Sequence, residues 1–394
     1  MTTLRKKFSE SFNFVYNKRV ILRIDLNLPK HDNEYTDLTR LEKILPTIKE
    51  LLKHKAKIII ISHFGRPEGK KHPELSLKPL LSILEKSIQK DIFFFDDDIK
   101  KIKSDKILRK FKTFDIILLE NIRFYEEEHN NEESFSKHLS SFGEIFINDC
   151  FSGSHREHSS IIGLPRFLPS FPGKLLEDEV KNLKKIISSN SSSNSVAVLG
   201  GSKVSTKLHI IEFVTRKFSK VLIGGAMANT FLSAKGFKTG DSMIEKSMIK
   251  KAKEILENSD NKLILPDDVV VDKDNKNTVK DIDTVLSKEQ IFDLGPKSRM
   301  KYHDIILKAD NILWNGPLGK FEVAPFDAGT KYILGALKTK KNKNFFSVSG
   351  GGDTIAMLKK LNCFDDFSYV STGGGAFLEF IQGSELPGLI YLNK

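Results

Sequence analysis

Short apolar runs alternate with amphipathic segments along the chain, and this alternation predicts the fold. The apolar runs are rich in Ile, Leu, Val and Phe, which is typical of strands that are buried on both faces. In the first half they are residues 20–26, 57–61, 115–119 and 145–147, with helical patterns at 40–53 and 77–90. The same rhythm resumes at residue 196 and continues to residue 361. We therefore predict βαβ units and parallel sheets with helices on both faces.

A boundary lies near the middle of the chain. Residues 167–173 (FLPSFPG) are rich in proline, and residues 174–187 have helical spacing with acidic residues early and basic residues late. That order of charges suits the helix dipole. Residues 188–195 (SSNSSSNS) form a polar segment that we interpret as a surface turn. We predict a first lobe over residues 1–173, a connecting helix over 174–189 and a second lobe over 190–379.

The formal net charge of +12 has two interpretations. It attracts anionic partners such as nucleotides, phosphorylated metabolites or nucleic acid, or it reflects a lysine-rich surface without a partner. We favour the second for most of the lysines, because they lie on helix-like segments without interleaved aromatic residues. Since no nucleic-acid motif is present, we expect no nucleic-acid partner.

The cellular location of the protein is predicted from features that its sequence lacks. No apolar stretch approaches the roughly 20 residues of a membrane span, and no apolar run near residue 1 precedes a small-residue cleavage site. Cys150 and Cys363, the two cysteines, have no metal-type spacing, which fits a reducing compartment. We expect a cytoplasmic protein that does not associate with membranes.

The predicted strands of the first half end in Arg, His and Asn. In parallel sheets, ligands bind outside the carboxyl ends of the strands. Any one of these side chains has an ordinary interpretation as a surface or ion-pair residue. Together they predict a site for a small, multiply charged anion, because Arg binds phosphate and carboxylate in a bidentate manner. The residues are Asp25, Asn27, Arg40, His63, Arg66, Arg123 and Arg156.

The predicted strands of the second half end in glycine. Such turns let backbone N–H groups approach a polyphosphate, although each glycine cluster alone is also explained as a tight turn. Asp353 follows three glycines at a helix start, where its carboxylate would repel a bound phosphate unless a cation lies between them, and this suggests Mg²⁺. The other candidates are Lys203 and Lys207 on one helical face, the turn at residues 314–317, and Glu322 as a ligand of a ribose hydroxyl.

One chain with both surfaces is typical of a two-substrate enzyme that transfers a phosphoryl group. His63, His155 and His158 are candidate general bases, and anion binding is an equally good role for them. A nicotinamide-dependent dehydrogenase lacks support, because no GxGxxG opens a helix after the first strand. A non-catalytic nucleotide- or nucleic-acid-binding protein is the other alternative, and a steep salt dependence of DNA binding would reveal it.

A series of segments, in this order and spacing, resembles the phosphoglycerate kinase family. They are 23–29 (RIDLNLP), 39–40 (TR), 62–67 (SHFGRP), 120–124 (ENIRF), 148–160 (NDCFSGSHREHSS), 199–207 (LGGSKVSTK), 314–322 (WNGPLGKFE), 350–354 (GGGDT) and 371–375 (STGGG). The resemblance implies two Rossmann-like lobes, each a parallel sheet flanked by helices, joined by a helix and a hinge. It also implies that a tail from about residue 380 to 394 returns to the first lobe.

The implied reaction is reversible phosphoryl transfer between 1,3-bisphosphoglycerate and ADP, which gives 3-phosphoglycerate and ATP in glycolysis. The implied enzyme is a monomer that uses Mg²⁺ and bends at its hinge. Matching positions imply substrate contacts from Asp25, Asn27, Arg40, His63, Arg66, Arg123, His155 and Arg156. They imply nucleotide contacts from Gly201, Lys203, Lys207, Asn315, Pro317, Glu322, Gly351, Gly352, Asp353 and Thr354. Arg40, Lys203 and the helix starting near Gly374 would stabilise the transferring group, and Asp353 would bind Mg²⁺.

A few positions depart from the family's usual residues. The family commonly has Leu at Phe64, His at Tyr125, Gly-Thr-Ala at Ser152-Gly153-Ser154 and Ala at Ser202. None of these changes removes a charged residue named above. The change around Ser152 is nearest the predicted substrate site, so we expect it to affect substrate affinity rather than substrate identity.

Overall fold

The structure is a computed structural model that describes residues 4–32, 34–188, 194–340 and 345–393. The chain forms two compact units. The first unit comprises Met1–Lys181 and Gly383–Lys394, and the second comprises Asn182–Gln382. The division falls inside the helix Lys174–Ile187. Residue 189, where the connecting helix was predicted to end, and residues 190–193 of the polar segment lie outside the described residues.

The first unit is built on a six-stranded parallel sheet, and a two-stranded ribbon accompanies it. The strands are β1 (Arg19–Arg23), β2 (Lys30–His31), β3 (Glu34–Tyr35), β4 (Lys57–Ile61), β5 (Ile92–Phe95), β6 (Ile116–Leu119), β7 (Ile145–Asn148) and β8 (Ser170–Pro172). The helices are α1 (Phe12–Val15), α2 (Thr39–Lys53), α3 (Leu81–Ile88), α4 (Ser104–Lys110), α5 (Glu126–His129) and α6 (Glu133–Ser140), and α7 (Lys174–Ile187) contains the division between the units. The sheet order is β5-β6-β4-β1-β7-β8, and β2 pairs with β3.

The central strand β1 decides where the first site forms. Arg23 at its end is in register with Ile61 of β4 and with Asn148 of β7. The segments that follow these three strands therefore begin side by side. The strand ends earlier than the pattern predicts, because the Leu26 N–H donates to Ser62 Oγ instead of joining the ladder.

The second unit has its own six-stranded parallel sheet and an antiparallel sheet. The strands are β9 (Ser195–Leu199), β10 (Lys220–Ile223), β11 (Leu263–Ile264), β12 (Asp268–Lys273), β13 (Lys276–Asp281), β14 (Gln290–Leu294), β15 (Asn311–Asn315), β16 (Phe346–Gly350) and β17 (Tyr369–Ser371). The helices are α8 (Leu208–Lys217), α9 (Ala226–Ala234), α10 (Ile249–Glu257), α11 (Pro296–Lys308), α12 (Ala328–Thr339), α13 (Gly352–Lys360) and α14 (Gly375–Ile381). A last helix, α15 (Pro387–Leu392), belongs to the first unit.

The parallel sheet of the second unit has the order β11-β10-β9-β15-β16-β17. Its core includes the fully buried Trp314 of β15, with Tyr302 and Ile306 of α11. The antiparallel sheet β13-β12-β14 was not predicted from the sequence. Two parallel sheets flanked by helices confirm the predicted α/β class. Among the described residues, no helix combines the length and the apolar character that a membrane span requires.

Candidate active site

Asp25 is the centre of a polar cluster at the carboxyl end of the first parallel sheet. It is 4% exposed. Its Oδ2 lies 3.1 Å from Arg40 Nη1 and accepts a hydrogen bond from the Ser152 hydroxyl, while its Oδ1 accepts one from the Asn27 N–H at 2.8 Å. Burial raises the pKa of Asp25, but Arg40 and the hydrogen bonds from Ser152 and Asn27 outweigh burial and hold that pKa at about 2. Asp25 is therefore an ionised acceptor at neutral pH.

His63 lies beside Asp25 and is neutral. Arg23 Nη2 is 3.2 Å from His63 Nδ1. Because a guanidinium only donates, Nδ1 accepts, and the ring proton lies on Nε2, 3.9 Å from Asp25 Oδ1. Burial holds the pKa of His63 well below its usual value, and nearby arginines reinforce this while Asp25 opposes it. His63 therefore supplies an N–H donor rather than a positive charge.

The loop after β4 brings Asn27 and Arg123 together at Gly65. Asn27 Oδ1 accepts from the Gly65 N–H at 2.9 Å, and Arg123 Nη1 donates to the Gly65 carbonyl at 3.0 Å. Burial lowers the pKa of Arg123 to about 10, so its guanidinium stays charged at neutral pH. Its Nε is buried and has no partner in the described structure. Such a donor is costly to leave unpaired, which favours an anionic ligand here.

Arg66, His155 and Arg156 were also predicted for this site. The side chains of Arg66 and Arg156 are exposed and make no hydrogen bond or ion pair with the described residues. Burial, with Arg156 and Arg123, lowers the pKa of His155 to about 4, so this imidazole is neutral. Arg123, His155 and Arg156 thus lie near one another, whereas the described contacts do not join the Arg66 side chain to the cluster.

Three buried residues behind Asp25 were not predicted. Arg23 is fully buried and donates from Nε to Ser160 Oγ at 2.8 Å. Ser160 in turn donates to Glu128, from its hydroxyl at 2.6 Å and from its N–H at 2.8 Å. Burial raises the pKa of Glu128 to about 7, although Arg23 and Ser160 oppose this. The signal in the sequence is the arginine inside the otherwise apolar run VILRIDL.

In the second unit, the ends of β9 and β15 meet at a glycine turn. The Gly201 N–H donates to the Pro317 carbonyl at 3.0 Å. A Cβ atom on Gly200 would lie 1.9 Å from the same carbonyl oxygen, so only glycine fits. Lys207 Nζ donates to the carbonyls of Gly200 at 2.6 Å and Asn315 at 3.2 Å. Burial lowers the pKa of Lys207 to about 8, which leaves most of its ammonium charged at neutral pH.

An open cavity of about 520 Å³ lies beside this turn. The predicted residues in its lining are Gly201, Pro317, Glu322 and Asp353. An apolar wall was not predicted; it consists of Ala226, Met243, Ile291, Phe292 and Phe321. An apolar wall beside polar groups suits a ligand with a flat apolar part and an anionic part.

Asn315 and Thr354 lie beneath the cavity and hold the backbone that forms it. Asn315 Nδ2 donates to the Gly350 carbonyl at 2.7 Å, and Thr354 Oγ1 accepts from the Gly316 N–H at 2.8 Å. Both side chains are buried. The predicted nucleotide residues therefore divide into some that line the cavity and others that fix its backbone.

The remaining predicted positions lie at starts of helical segments. Lys203 is exposed and contributes to the low pKa of Glu245, which Ser205 also holds by hydrogen bonds. Gly351 (φ +101°) and the exposed Gly352 open α13. Gly374 has φ +55° and precedes α14, with open space where a Cβ would stand.

Comparison with known proteins assigns the family. The family model for phosphoglycerate kinase matches residues 11–384. The phosphoglycerate kinase of Chelativorans sp. (strain BNC1) is 41% identical over 388 residues, which are 96% of this chain and 97% of that protein. The structure of phosphoglycerate kinase from Coxiella burnetii matches with a TM-score of 0.85 and 38% identity, over 96% of both chains. That from Pyrococcus horikoshii OT3 matches with a TM-score of 0.82 and 32% identity, over 96% and 97%.

The chain belongs to the phosphoglycerate kinase family. This confirms the resemblance that the sequence motifs indicated. It also confirms the predicted function, reversible phosphoryl transfer between 1,3-bisphosphoglycerate and ADP in glycolysis (EC 2.7.2.3). The rival interpretations as a dehydrogenase or a non-catalytic binding protein are thereby set aside.

The phosphoglycerate kinase family typically uses Mg²⁺ with its nucleotide, and the donor set here fits such an ion. Asp353 is exposed in the first turn of α13, lines the cavity and makes no hydrogen bond or ion pair with the described residues. The described residues contain no group of three or more His, Cys, Asp or Glu side chains that could hold a metal ion. A single free carboxylate suits Mg²⁺, which takes one or two carboxylates together with phosphate oxygens and water.

Proposed function

We propose that the first unit binds the glycerate substrate and that the second unit binds the nucleotide. The observation that carries the first assignment is the unpaired, buried Nε of Arg123 beside one ionised carboxylate, Asp25. Arg40, Arg66, Arg123 and Arg156 would neutralise the phosphate and the carboxyl group of the substrate. Asp25 would accept a hydrogen bond from the substrate hydroxyl, and the His63 N–H would donate to an oxygen.

In the second unit, the cavity supports the nucleotide assignment. Its apolar wall, with Phe292 and Phe321, suits a base, and Glu322 at its edge suits a ribose hydroxyl. Gly201, Pro317, Gly351, Gly352 and the N-terminus of α13 would surround the phosphates, with the Lys207 ammonium beneath them. Asp353 would hold Mg²⁺, which when bound to the nucleotide neutralises charge on the phosphates.

The reaction requires the protein to position the substrates and to neutralise their charge, and it requires no proton transfer. The acceptor is a phosphate of ADP in one direction and a carboxylate in the other, and both are ionised near neutral pH. Neither His63 nor His155 is therefore needed as a base, which agrees with their low pKa values. Arg40, Lys203 and the N–H groups that follow Gly374 would stabilise charge on the transferring group.

A coupled assay tests the proposed function. The protein should form ADP from MgATP only when 3-phosphoglycerate is present. ADP formation that does not depend on 3-phosphoglycerate, or no ADP formation at all, would overturn the proposal.

We also propose that the enzyme is monomeric, cytoplasmic and bends at a hinge. Sedimentation at 44.6 kDa tests the first point, and scattering with both substrates, where a smaller radius of gyration is expected, tests the last.

A further inference from the structure

Ser152, which the sequence marks only as a departure from the family's usual residues, contacts Asp25 in the first site. It lies in the turn Phe151–Gly153, which follows β7, and is partly buried. Its hydroxyl donates to Asp25 Oδ2, from a position 127 residues away in the sequence. Cys150 Sγ lies 3.6 Å from the same hydroxyl oxygen, and Arg23 Nη1 lies 3.7 Å from that sulfur. The contact with Cys150 thus helps to hold the Ser152 hydroxyl in place, and the hydroxyl proton is directed at Asp25.

The contacts of Asp25 determine which acceptor position remains for a ligand. A carboxylate offers about four lone-pair positions, two on each oxygen. Ser152 and Arg40 both contact Oδ2. The Asn27 N–H takes one position on Oδ1, and His63 Nε2, at 3.9 Å, is too far to take the other. One position on Oδ1 therefore remains.

We propose that Ser152 is a specificity-determining positioning residue for the glycerate substrate. By occupying Oδ2 together with Arg40, it leaves Oδ1 as the acceptor for the hydroxyl on carbon 2 of the substrate. This inference rests on the proposed function of the first unit. Without Ser152, Oδ2 would have a free position that water or a rotated carboxylate could use, and recognition of the hydroxyl would loosen. The phosphate and carboxyl contacts of the substrate would be unaffected.

The test measures how strongly the protein discriminates between two ligands. Calorimetric titration would compare 3-phosphoglycerate with 3-phosphooxypropanoate, the same phosphate ester without the hydroxyl. The measured quantity is the dissociation constant of the ligand without the hydroxyl divided by that of 3-phosphoglycerate. In S152A and S152G we expect this ratio to be roughly five- to tenfold smaller than in the wild type, because a charge-assisted hydrogen bond no longer positions Asp25. S152T keeps the hydroxyl and should restore the ratio to within about twofold.

The matched control is S154A. Ser154 lies just beyond the same turn, but its hydroxyl donates to the Cys150 carbonyl at 3.0 Å and does not contact Asp25. In S154A the ratio of the two dissociation constants and kcat at saturating substrate should both stay within about twofold of their wild-type values.

Two results would overturn the inference about Ser152 and leave the proposed function standing. One is wild-type discrimination in both S152A and S152G. The other is an equal loss of affinity for both ligands, which would mean that Ser152 only supports the turn. A wild-type protein that binds neither ligand would instead overturn the proposed function, and the inference with it.

Discussion

Arg40 and Lys203 are assigned the same chemical role but are held differently. The Arg40 side chain is 26% exposed and is fixed by Asp25 and the Asn27 carbonyl, whereas Lys203 is exposed. Removing a donor aimed at transition-state charge costs about 3 kcal/mol or more. We therefore expect R40A and K203A each to lower kcat at least about a hundredfold.

The stability of these two variants should differ. R40A removes a partner of a buried carboxylate and should lower the free energy of unfolding, whereas K203A should change it by less than about 0.5 kcal/mol. Steady-state kinetics and urea unfolding measure both effects. K217A, at the exposed end of α8, is the control and should leave both unchanged. Turnover near that of the wild type in R40A and K203A would refute the assigned roles.

Glu128 links the buried network to pH. Its pKa is about 7 in the folded protein, above the ordinary value of 4.5. Between these two values the folded state binds a proton that the unfolded state has lost. The contribution of Glu128 to stability is therefore complete below pH 4.5 and declines as the pH rises to about 7, by up to about 3 kcal/mol.

We expect E128Q to reduce the decline of the unfolding free energy between pH 4.5 and 7. Chemical unfolding at a series of pH values measures this slope. Asp149 and Asp293 also have pKa values raised to about 7 by burial, so some slope should persist in E128Q. E133Q, at the exposed start of α6, should keep the whole slope. Identical slopes for E128Q and the wild type would contradict the buried, protonated state.

At the scale of elements, the contact between the turns after β9 and β15 depends on Gly200. G200A would place Cβ 1.9 Å from the Pro317 carbonyl oxygen, so one turn must move. We expect a loss of at least about 2 kcal/mol of stability and a marked loss of nucleotide affinity, since Gly201 lines the cavity. Thermal unfolding and titration with MgADP measure these effects.

Gly335 provides the matched control for Gly200. It lies inside α12, and a Cβ there would meet nothing within 4 Å. G335A should stabilise the protein by about 0.5–1 kcal/mol, because alanine suits a helix interior better than glycine, and nucleotide affinity should be unchanged. Equal tolerance of both substitutions would show that the close approach at Gly200 is not required.

Some elements were predictable because their pattern is local. Residues 57–61 and 174–187 form β4 and α7 as predicted, since continuous apolar runs and helical spacing leave few alternatives. Strand ends were harder to predict, because β1 stops at Arg23 once the Leu26 N–H bonds to the hydroxyl of Ser62, which is distant in sequence. The antiparallel strand β13 was missed because most of its residues are exposed and polar, and its pairing with β12 supplies the order.

The same distinction between local patterns and contacts distant in sequence applies to the site. Charged residues after buried strands could be named as candidates from the sequence, because the carboxyl ends of parallel strands are where ligands bind. The apolar wall was missed because Ile291 and Phe292 have the composition of core residues, and only the cavity distinguishes them. The contact between Ser152 and Asp25 was missed because a lone serine carries no signal of its distant partner.

For the whole molecule, the division into two units leads to the last prediction. Each unit has its own parallel sheet and its own buried core. A ligand that binds only the folded form of one site slows local opening there. At a concentration of 100 times its Kd it adds about 2.7 kcal/mol, which corresponds to roughly hundredfold slower amide exchange. Each substrate alone should therefore protect its own unit.

Hydrogen exchange measured by mass spectrometry checks this. 3-Phosphoglycerate alone should slow exchange at Asn27 and Gly65, whose N–H groups bond within the Asp25 cluster. MgADP alone should slow exchange at Gly201 and Gly316, whose N–H groups bond beside the cavity. The exposed strand β13 should be unaffected by either ligand and serves as the control. Protection of Gly201 by 3-phosphoglycerate, without protection of Asn27, would reverse the assignment of the substrates to the units.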